Sequence, residues 1–222
     1  MGSDFFYGKT ASAVYETASL FALHNNYYKQ FLRQADLDIK DNTKVLDLGC
    51  GGGRLAVNLL NEYVHKRNVR PVVHAVDISE DMLKLSEKKA ERDDVLQYLR
   101  LYKGDAEDLS TAREFRKGSS VEFRDGQFDI VMAAGLLECV PQPARVLEEM
   151  LRVLKPSGQF VISCVNKNVF GEIGSRMWKY NIIPKKLILS HLGELKDLKR
   201  FKVRTMHPYM GRLKSTYTGV KV

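Results

Sequence analysis

Three carboxylates and one run of glycines are the groups in this chain best suited, by type and spacing, to hold a small ligand. Asp47 stands two residues ahead of Gly49-Cys50-Gly51-Gly52-Gly53, where an apolar run gives way to a turn. A tight glycine turn between a strand and a helix lets a ligand approach the backbone closely, beside the unpaired N–H groups of the helix start. Gly51-Gly52-Gly53-Arg54-Leu55-Ala56 also fits the dinucleotide fingerprint G-x-G-x-x-[GA], which points to NAD or FAD. Asp47 argues against that ligand. A carboxylate there repels a pyrophosphate and suits a cation carrying an ammonium and a sulfonium, although it can also hydrogen-bond loop amides. Asp77 ends a second apolar run, where an acid can accept both hydroxyls of a ribose or simply cap the next helix. Asp105, in Gly104-Asp105-Ala106, ends a third. Its carboxylate can accept from an adenine amino group while the Ala106 N–H donates to the ring, or it can merely form a turn.

Placing these groups together requires alternating strands and helices. Residues 44–48, 72–76, 96–102, 128–133 and 159–164 read as strands, rich in Val, Leu, Ile and Phe. Helices follow the glycine turn, run from Ser79 to about Glu91, and span residues 143–153. Val146, Leu147, Met150, Leu151 and Leu154 mark the inner face of the last. Residues 11–36 read as one or two helices, and 201–206 and 216–222 as two closing strands around Gly211-Arg212. Lys155-Pro156-Ser157-Gly158 reads as a turn. The alternation implies an α/β fold, a parallel sheet covered on both faces, with ligands at the carboxyl ends of the strands.

Composition agrees with a globular chain: 44% hydrophobic and 28% charged residues among 222 suit one α/β domain. No uninterrupted apolar stretch reaches a membrane span, and the start lacks a basic region followed by an apolar run, so a cytoplasmic protein without a secretory signal is expected. Cys50, Cys139 and Cys164 are odd in number and far apart, which suits neither a disulfide framework nor zinc ligation. The net charge of +8 is uneven: residues 166–222 carry 13 Lys or Arg against 3 Asp or Glu. Such a basic segment suits an anionic partner such as a lipid surface, a phosphorylated substrate or RNA, or is a solvated face.

The run Val45-Leu46-Asp47-Leu48-Gly49-Cys50-Gly51-Gly52-Gly53 resembles the first motif of class I S-adenosylmethionine-dependent methyltransferases. Asp77-Ile78-Ser79, Gly104-Asp105-Ala106-Glu107-Asp108, Phe128-Asp129-Ile130-Val131 and residues 151–158 are similar to the rest of that series, in order. The similarity covers about residues 40–165 and is nearest to the small-molecule branch with the ubiquinone and menaquinone enzymes. It implies a Rossmann-like, seven-stranded, mostly parallel sheet with helices on both faces. It further implies one methyltransferase domain over 1–222: an N-terminal helical cap to residue 40, a cofactor-binding core over 41–165, and an acceptor-side lid with the last two strands over 166–222. By this resemblance S-adenosylmethionine is the cofactor. Asp47, Gly49, Cys50, Gly51 and Gly53 hold its methionine moiety, Asp77 with Ile78 its ribose side, and Asp105 with Ala106 its adenine. Met82 packs on the adenine and Tyr15 closes over the methionine end.

The acceptor is less legible. Relatives often carry two histidines where Glu138 and Cys139 stand, so this chain departs from the pattern. Glu138 remains a candidate to accept a proton or hold an acceptor amine. No metal site is expected. Residues 110–121 read as a basic insertion on the surface, away from the methyl site. Residues 168–200, with Trp178, Tyr180 and Leu187 among lysines, suit a lid over a hydrophobic acceptor or a core-packing helix with a basic outer face. The leading expectation is N- or O-methylation of a small molecule or lipid precursor. An RNA or protein methyltransferase, an NAD-type oxidoreductase and a cofactor-binding regulator without catalysis stand as alternatives. Oligomeric state is not readable.

Overall fold

The structure is a computed structural model describing residues 23–165, 172, 181–193, 195–204 and 214–222. The expected apolar runs form parallel strands β1 (Lys44–Leu48), β2 (Val72–Asp77), β3 (Leu99–Asp105), β5 (Phe128–Ala134) and β6 (Leu154–Val165), with β4 (Asp108–Glu114), β7 (Lys196–Phe201) and β8 (Lys214–Val220) completing the sheet. The strand order is β4-β3-β2-β1-β5-β6-β8-β7. Pairing is parallel from β3 through β6 and antiparallel at β3–β4, β6–β8 and β8–β7. The chain first builds outward from β1 through β2 and β3, then returns to place β5 on the other side of β1. That reversal opens a crevice between the carboxyl ends of β1 and β5.

Among the described residues, the α-helices that cover the sheet are α1 (Leu23–Ala35), α2 (Arg54–Leu60), α3 (Glu80–Arg92), α4 (Pro143–Val153) and α5 (Lys185–Leu192). Tyr27, Tyr28, Phe31, Leu32 and Ala35 form one apolar stripe of α1, and it packs with Leu59, Leu60 and Leu83 in the core on one face. Leu147, Met150, Ile188 and Leu192 from α4 and α5 join Phe128 and Phe160 in the core on the other. Each fully buried Leu or Phe contributes about 1.5–3 kcal/mol, so the two layers together fix the sheet between them. Ser79 caps α3, its hydroxyl accepting from the Met82 N–H at 3.4 Å, with Glu80 and Asp81 in the first turn.

Four details depart from the sequence reading. The sheet has eight strands rather than seven, because the segment read as a surface insertion supplies β4, a hairpin partner for β3. Residues 96–98 form a 3-10 turn, so β3 begins later and runs through Asp105. Residues 155–158 are a bulge inside β6 rather than a turn before it: the β5 pairing jumps from Phe128↔Leu154 to Ile130↔Gln159, and Ser157 adopts a φ of 60°. The penultimate strand lies at Lys196–Phe201 instead of 201–206, and the expected turn at Gly211-Arg212 falls outside the described residues.

Candidate active site

β1 delivers Asp47 to the crevice and the glycine turn carries the chain directly into α2. Gly49, Gly51 and Gly53 all have positive φ, at 65°, 50° and 72°. A Cβ on Gly49 would lie 2.6 Å from Leu136 Cδ1, and one on Gly53 2.2 Å from Ser86 Oγ, whereas one on Gly51 would meet nothing. Two of the glycines therefore permit close packing beneath the turn, and Gly51 leaves open space above it. The cleft there has a volume of about 70 Å³ and is lined by Asp47, the turn from Gly49 to Gly52, Tyr28, Arg54 and Leu55, and on the β5 side by Ala134 and Gly135.

The turn is held from two directions. Asp77 Oδ2 accepts the Gly51 N–H at 2.7 Å and Oδ1 accepts the Ser79 N–H at 2.9 Å. Lys89 Nζ, from α3, donates to the Gly52 carbonyl at 2.6 Å. Burial raises the Asp77 carboxyl, and the two amides counteract it. Asp47 is more extreme. It is 2% exposed, and its Oδ2 has no hydrogen-bond partner. Burial lifts its carboxyl to about 8, the Asp77 charge adds to the rise, and the Ala56 amide opposes it. An orphaned buried carboxylate oxygen at the floor of a glycine cradle is an incomplete charge pair, which a cationic ligand completes and a pyrophosphate would aggravate.

The other expected cofactor positions lie on the same sheet edge. The register Asp77↔Lys103 places Asp105 two residues beyond the end of β2. Its carboxylate accepts the Glu107 N–H at 2.8 Å, and Ala106 is buried. Ile78 is 48% exposed, so it offers an apolar face to the crevice rim, while Met82 is buried. Tyr15 lies outside the described residues. Tyr28, which lies in the stretch 11–36 read from the sequence only as helical, lines the cleft. Its sole signal in the sequence was membership of an aromatic cluster.

Beyond β5 the chain turns at Gly135 into a 3-10 turn, Leu137–Cys139. Glu138 is 3% exposed. Its Oε1 lies 3.1 Å from Lys214 Nζ at the start of β8, and its Oε2 has no hydrogen-bond partner. Tyr27 on α1 approaches the same region, its hydroxyl 2.6 Å from Ser163 Oγ on β6. Burial pushes the Tyr27 hydroxyl up, against the pull of the Lys214 ammonium. Burial, with the Glu138 carboxylate, pushes the Cys139 thiol up to about 12, which leaves it protonated and unsuited to attack. Neither Tyr27 nor Lys214 was singled out from the sequence, because their partners lie far away along the chain.

Residues 39–205 match the family described as "Methyltransferase domain". The chain belongs to that family. Among its relatives, the ubiquinone biosynthesis O-methyltransferase of Pseudomonas aeruginosa is 34% identical over 136 residues, covering 60% of this chain and 50% of that one. The ubiquinone/menaquinone biosynthesis C-methyltransferase of Rickettsia felis is 30% identical over 167 residues, covering 74% and 60%. The chain thus spans about half the length of the curated relatives it matches. A phosphoethanolamine N-methyltransferase from Haemonchus contortus, solved with S-adenosylhomocysteine, superposes with a TM-score of 0.71 at 14% identity, over 100% of this chain and 60% of that one. At that identity the likeness speaks for the fold. The methyltransferase fold accounts for seven of the eight strands, and β4 is an addition at its edge. Among the described residues, no helix is long and apolar enough to cross a membrane.

Proposed function

We propose that the chain transfers the methyl group of S-adenosylmethionine to a hydroxyl oxygen or a nitrogen of a small molecule or lipid precursor. The observation that carries the cofactor reading is Asp47: buried, lacking a partner at one oxygen, and set in a glycine cradle at the strand-order reversal. Asp47 would face the positive charge of the methionine moiety while the Gly49–Gly53 backbone approaches it. Asp77 would accept from ribose hydroxyls while continuing to brace Gly51 and Ser79, using the free lone pairs of the same oxygens. Ile78 and Met82 would flank the adenine, and Asp105 with Ala106 would meet its polar edge.

When bound, S-adenosylmethionine supplies an activated methyl carbon whose bond to sulfur breaks, electron pair to sulfur, as the acceptor's lone pair forms the new bond. The protein's part is then alignment, exclusion of water, and acceptance of one proton where the acceptor arrives as a hydroxyl. Alignment alone can contribute about 7–11 kcal/mol. Glu138, whose Oε2 is buried without a hydrogen-bond partner three residues beyond Gly135, would take that proton. The names of the relatives, an O-methyltransferase and a C-methyltransferase of quinone biosynthesis, support a small acceptor rather than a macromolecule.

Two measurements test this reading. Calorimetry should show S-adenosylmethionine binding that Asp47→Ala abolishes; tight NAD binding in its place would overturn the cofactor. A radiolabelled-methyl assay should place label in the small-molecule or lipid fraction of a lysate. Label confined to RNA or protein would overturn the acceptor class.

A further inference from the structure

Gly135 has a φ of 81°, and a Cβ built on it would lie 2.7 Å from Lys214 Nζ and 3.7 Å from Glu138 Oε1. The ammonium of β8 therefore occupies the space a side chain at position 135 would take, beside a residue that lines the β5 side of the cleft. From there it reaches Glu138 Oε1 at 3.1 Å. Lys214 is only 16% exposed at its side chain and Glu138 3%, so the pair is shielded from the water that makes surface ion pairs nearly worthless. The two carboxylate oxygens are thereby made unequal: Oε1 is committed to the ammonium, and Oε2 is left with no partner in a buried position. Among the described residues, the titratable groups that act on the same cluster include the Tyr27 hydroxyl from α1, the Cys139 thiol of the same turn and the Cys164 thiol of β6, with the Asp77 carboxylate felt at Cys139 and the Arg200 guanidinium at Cys164. Burial raises the hydroxyl and both thiols and so keeps them neutral, and Lys214 is the cation in direct contact with Glu138.

We propose that Lys214 is a positioning residue for methyl transfer: it holds Glu138 by one oxygen so that the other faces the acceptor hydroxyl, and position 135 is glycine to admit it. The proposal rests on the reading of Glu138 given above. In the step it serves, the acceptor O–H bond breaks and its proton passes to Glu138 Oε2. The oxygen's electron pair forms the O–CH3 bond, and the S–CH3 electron pair leaves with sulfur. Without the ammonium the carboxylate loses both its orientation and the charge that balances it, so the defect should fall on the proton-dependent step and leave cofactor binding intact.

The test compares the parent with Lys214→Met, which keeps the apolar stem, Lys214→Arg, Gly135→Ala and Glu138→Gln. S-adenosylhomocysteine formation is followed at mildly alkaline pH with phenol, whose hydroxyl is largely protonated, and 4-nitrophenol, which is largely ionised. With phenol, Lys214→Met should lower kcat about tenfold to a hundredfold, up to the low end of the roughly hundredfold to ten-thousandfold typical of general acid–base catalysis, since the carboxylate itself remains. Its S-adenosylmethionine affinity and acceptor KM should stay within about twofold, and with 4-nitrophenol most of the loss should disappear. Gly135→Ala, which displaces the ammonium but also alters the cleft wall, is read only by the ratio of kcat on the two phenols, which should shift as in Lys214→Met, and Lys214→Arg should recover part of the lost rate. An equal loss with both phenols, or an unchanged kcat in Lys214→Met, would overturn the proposal. If Lys214→Met does not fold, Gly135→Ala decides on the same two acceptors. Retained kcat in Glu138→Gln would instead sink the role of Glu138 itself. Loss in Glu138→Gln with a normal Lys214→Met would sink only the positioning. No product with either phenol counts against the hydroxyl-acceptor reading and removes the basis of the proposal with it.

Discussion

Asp47 carries an orphaned oxygen at 2% exposure and titrates near 8, against an ordinary value of 3.8. The folded carboxyl therefore keeps its proton to higher pH than the unfolded one. Its burial costs little below about pH 4, and stability is lost progressively as pH rises from there through about 8. Asp47→Asn should remove this penalty. The variant should melt at a higher temperature than the cofactor-free parent at about pH 8.5, by a margin that shrinks toward pH 4, while losing S-adenosylmethionine affinity. A lower melting temperature at the alkaline end would contradict this account of the residue. In the parent, a cation binds the carboxylate form, so affinity should climb between about pH 6 and 9 with release of a proton, read by calorimetry in two buffers of different ionisation enthalpy. The glycines separate by the same reasoning. Gly53→Ala drives a Cβ into Ser86 at positive φ and should prevent stable folding. Gly51→Ala meets no atom, so it should fold with a cost of about 1–2 kcal/mol from its φ alone. It should nevertheless weaken cofactor binding, because its methyl group points toward the cleft.

His74 lies on β2, at the centre of a sheet the sequence showed clearly. Its ring stacks on Tyr102 at 5.6 Å and 3° between planes, and Nδ1 lies 2.9 Å from the Tyr102 hydroxyl. Burial lowers its pKa from 6.5 to about 4, with Arg100 and Lys44 adding to the shift. The unfolded chain thus takes up a proton that the folded chain refuses, and stability falls as pH drops from about 6.5 to 4, by up to about 3 kcal/mol. His74→Phe keeps a ring against Tyr102 and Phe128 but cannot titrate. The fall in its urea midpoint between about pH 7.5 and 5 should be smaller than the parent's. An equal fall would clear His74 of acid sensitivity. The strands around it were legible because parallel strands buried on both faces read as unbroken apolar runs. β4 was not legible, since its Asp-Leu-Ser-Thr-Ala-Arg-Glu sequence buries only Leu109 and Ala112 and reads as a polar loop. β7 was hidden for the same reason: its Lys-Asp-Leu-Lys-Arg-Phe pattern has no buried residue. At the site, Asp47, Asp77 and the glycines stood out because strand ends and turns are local features. The Glu138–Lys214 pair joins β5's exit to β8, and nothing in the intervening sequence announces it.

Across the molecule, charge and topology meet at one edge. The basic C-terminal quarter places Lys196, Lys199, Arg200, Lys202 and Arg204 on or just after β7, all exposed, with Asp197 the one acid among the described residues of that stretch. Among the described residues, β7 is the outermost strand and pairs with β8 alone, so its other side is an edge of the described sheet. Lysines on such a strand oppose pairing with a second chain by mutual repulsion. The same strip concentrates positive charge, which would attract an anionic surface. Arg200 is partly engaged, its Nη2 donating to Ser215 Oγ at 2.9 Å and its guanidinium lying 5.8 Å from the Tyr217 ring centre, so the three lysines are the cleaner probes. Replacing Lys196, Lys199 and Lys202 together by glutamate should lower the salt concentration at which the protein elutes from heparin. Being exposed, these positions should leave the melting temperature nearly unchanged, with a stability difference within about 0.5 kcal/mol per site. Neutral Lys→Ser changes at the same three positions give the complementary reading. They weaken heparin retention less but remove the repulsion, so dimers or larger species should appear in size-exclusion chromatography at high protein concentration. Serine variants that stay as the parent does would count against a role of these lysines in protecting the edge.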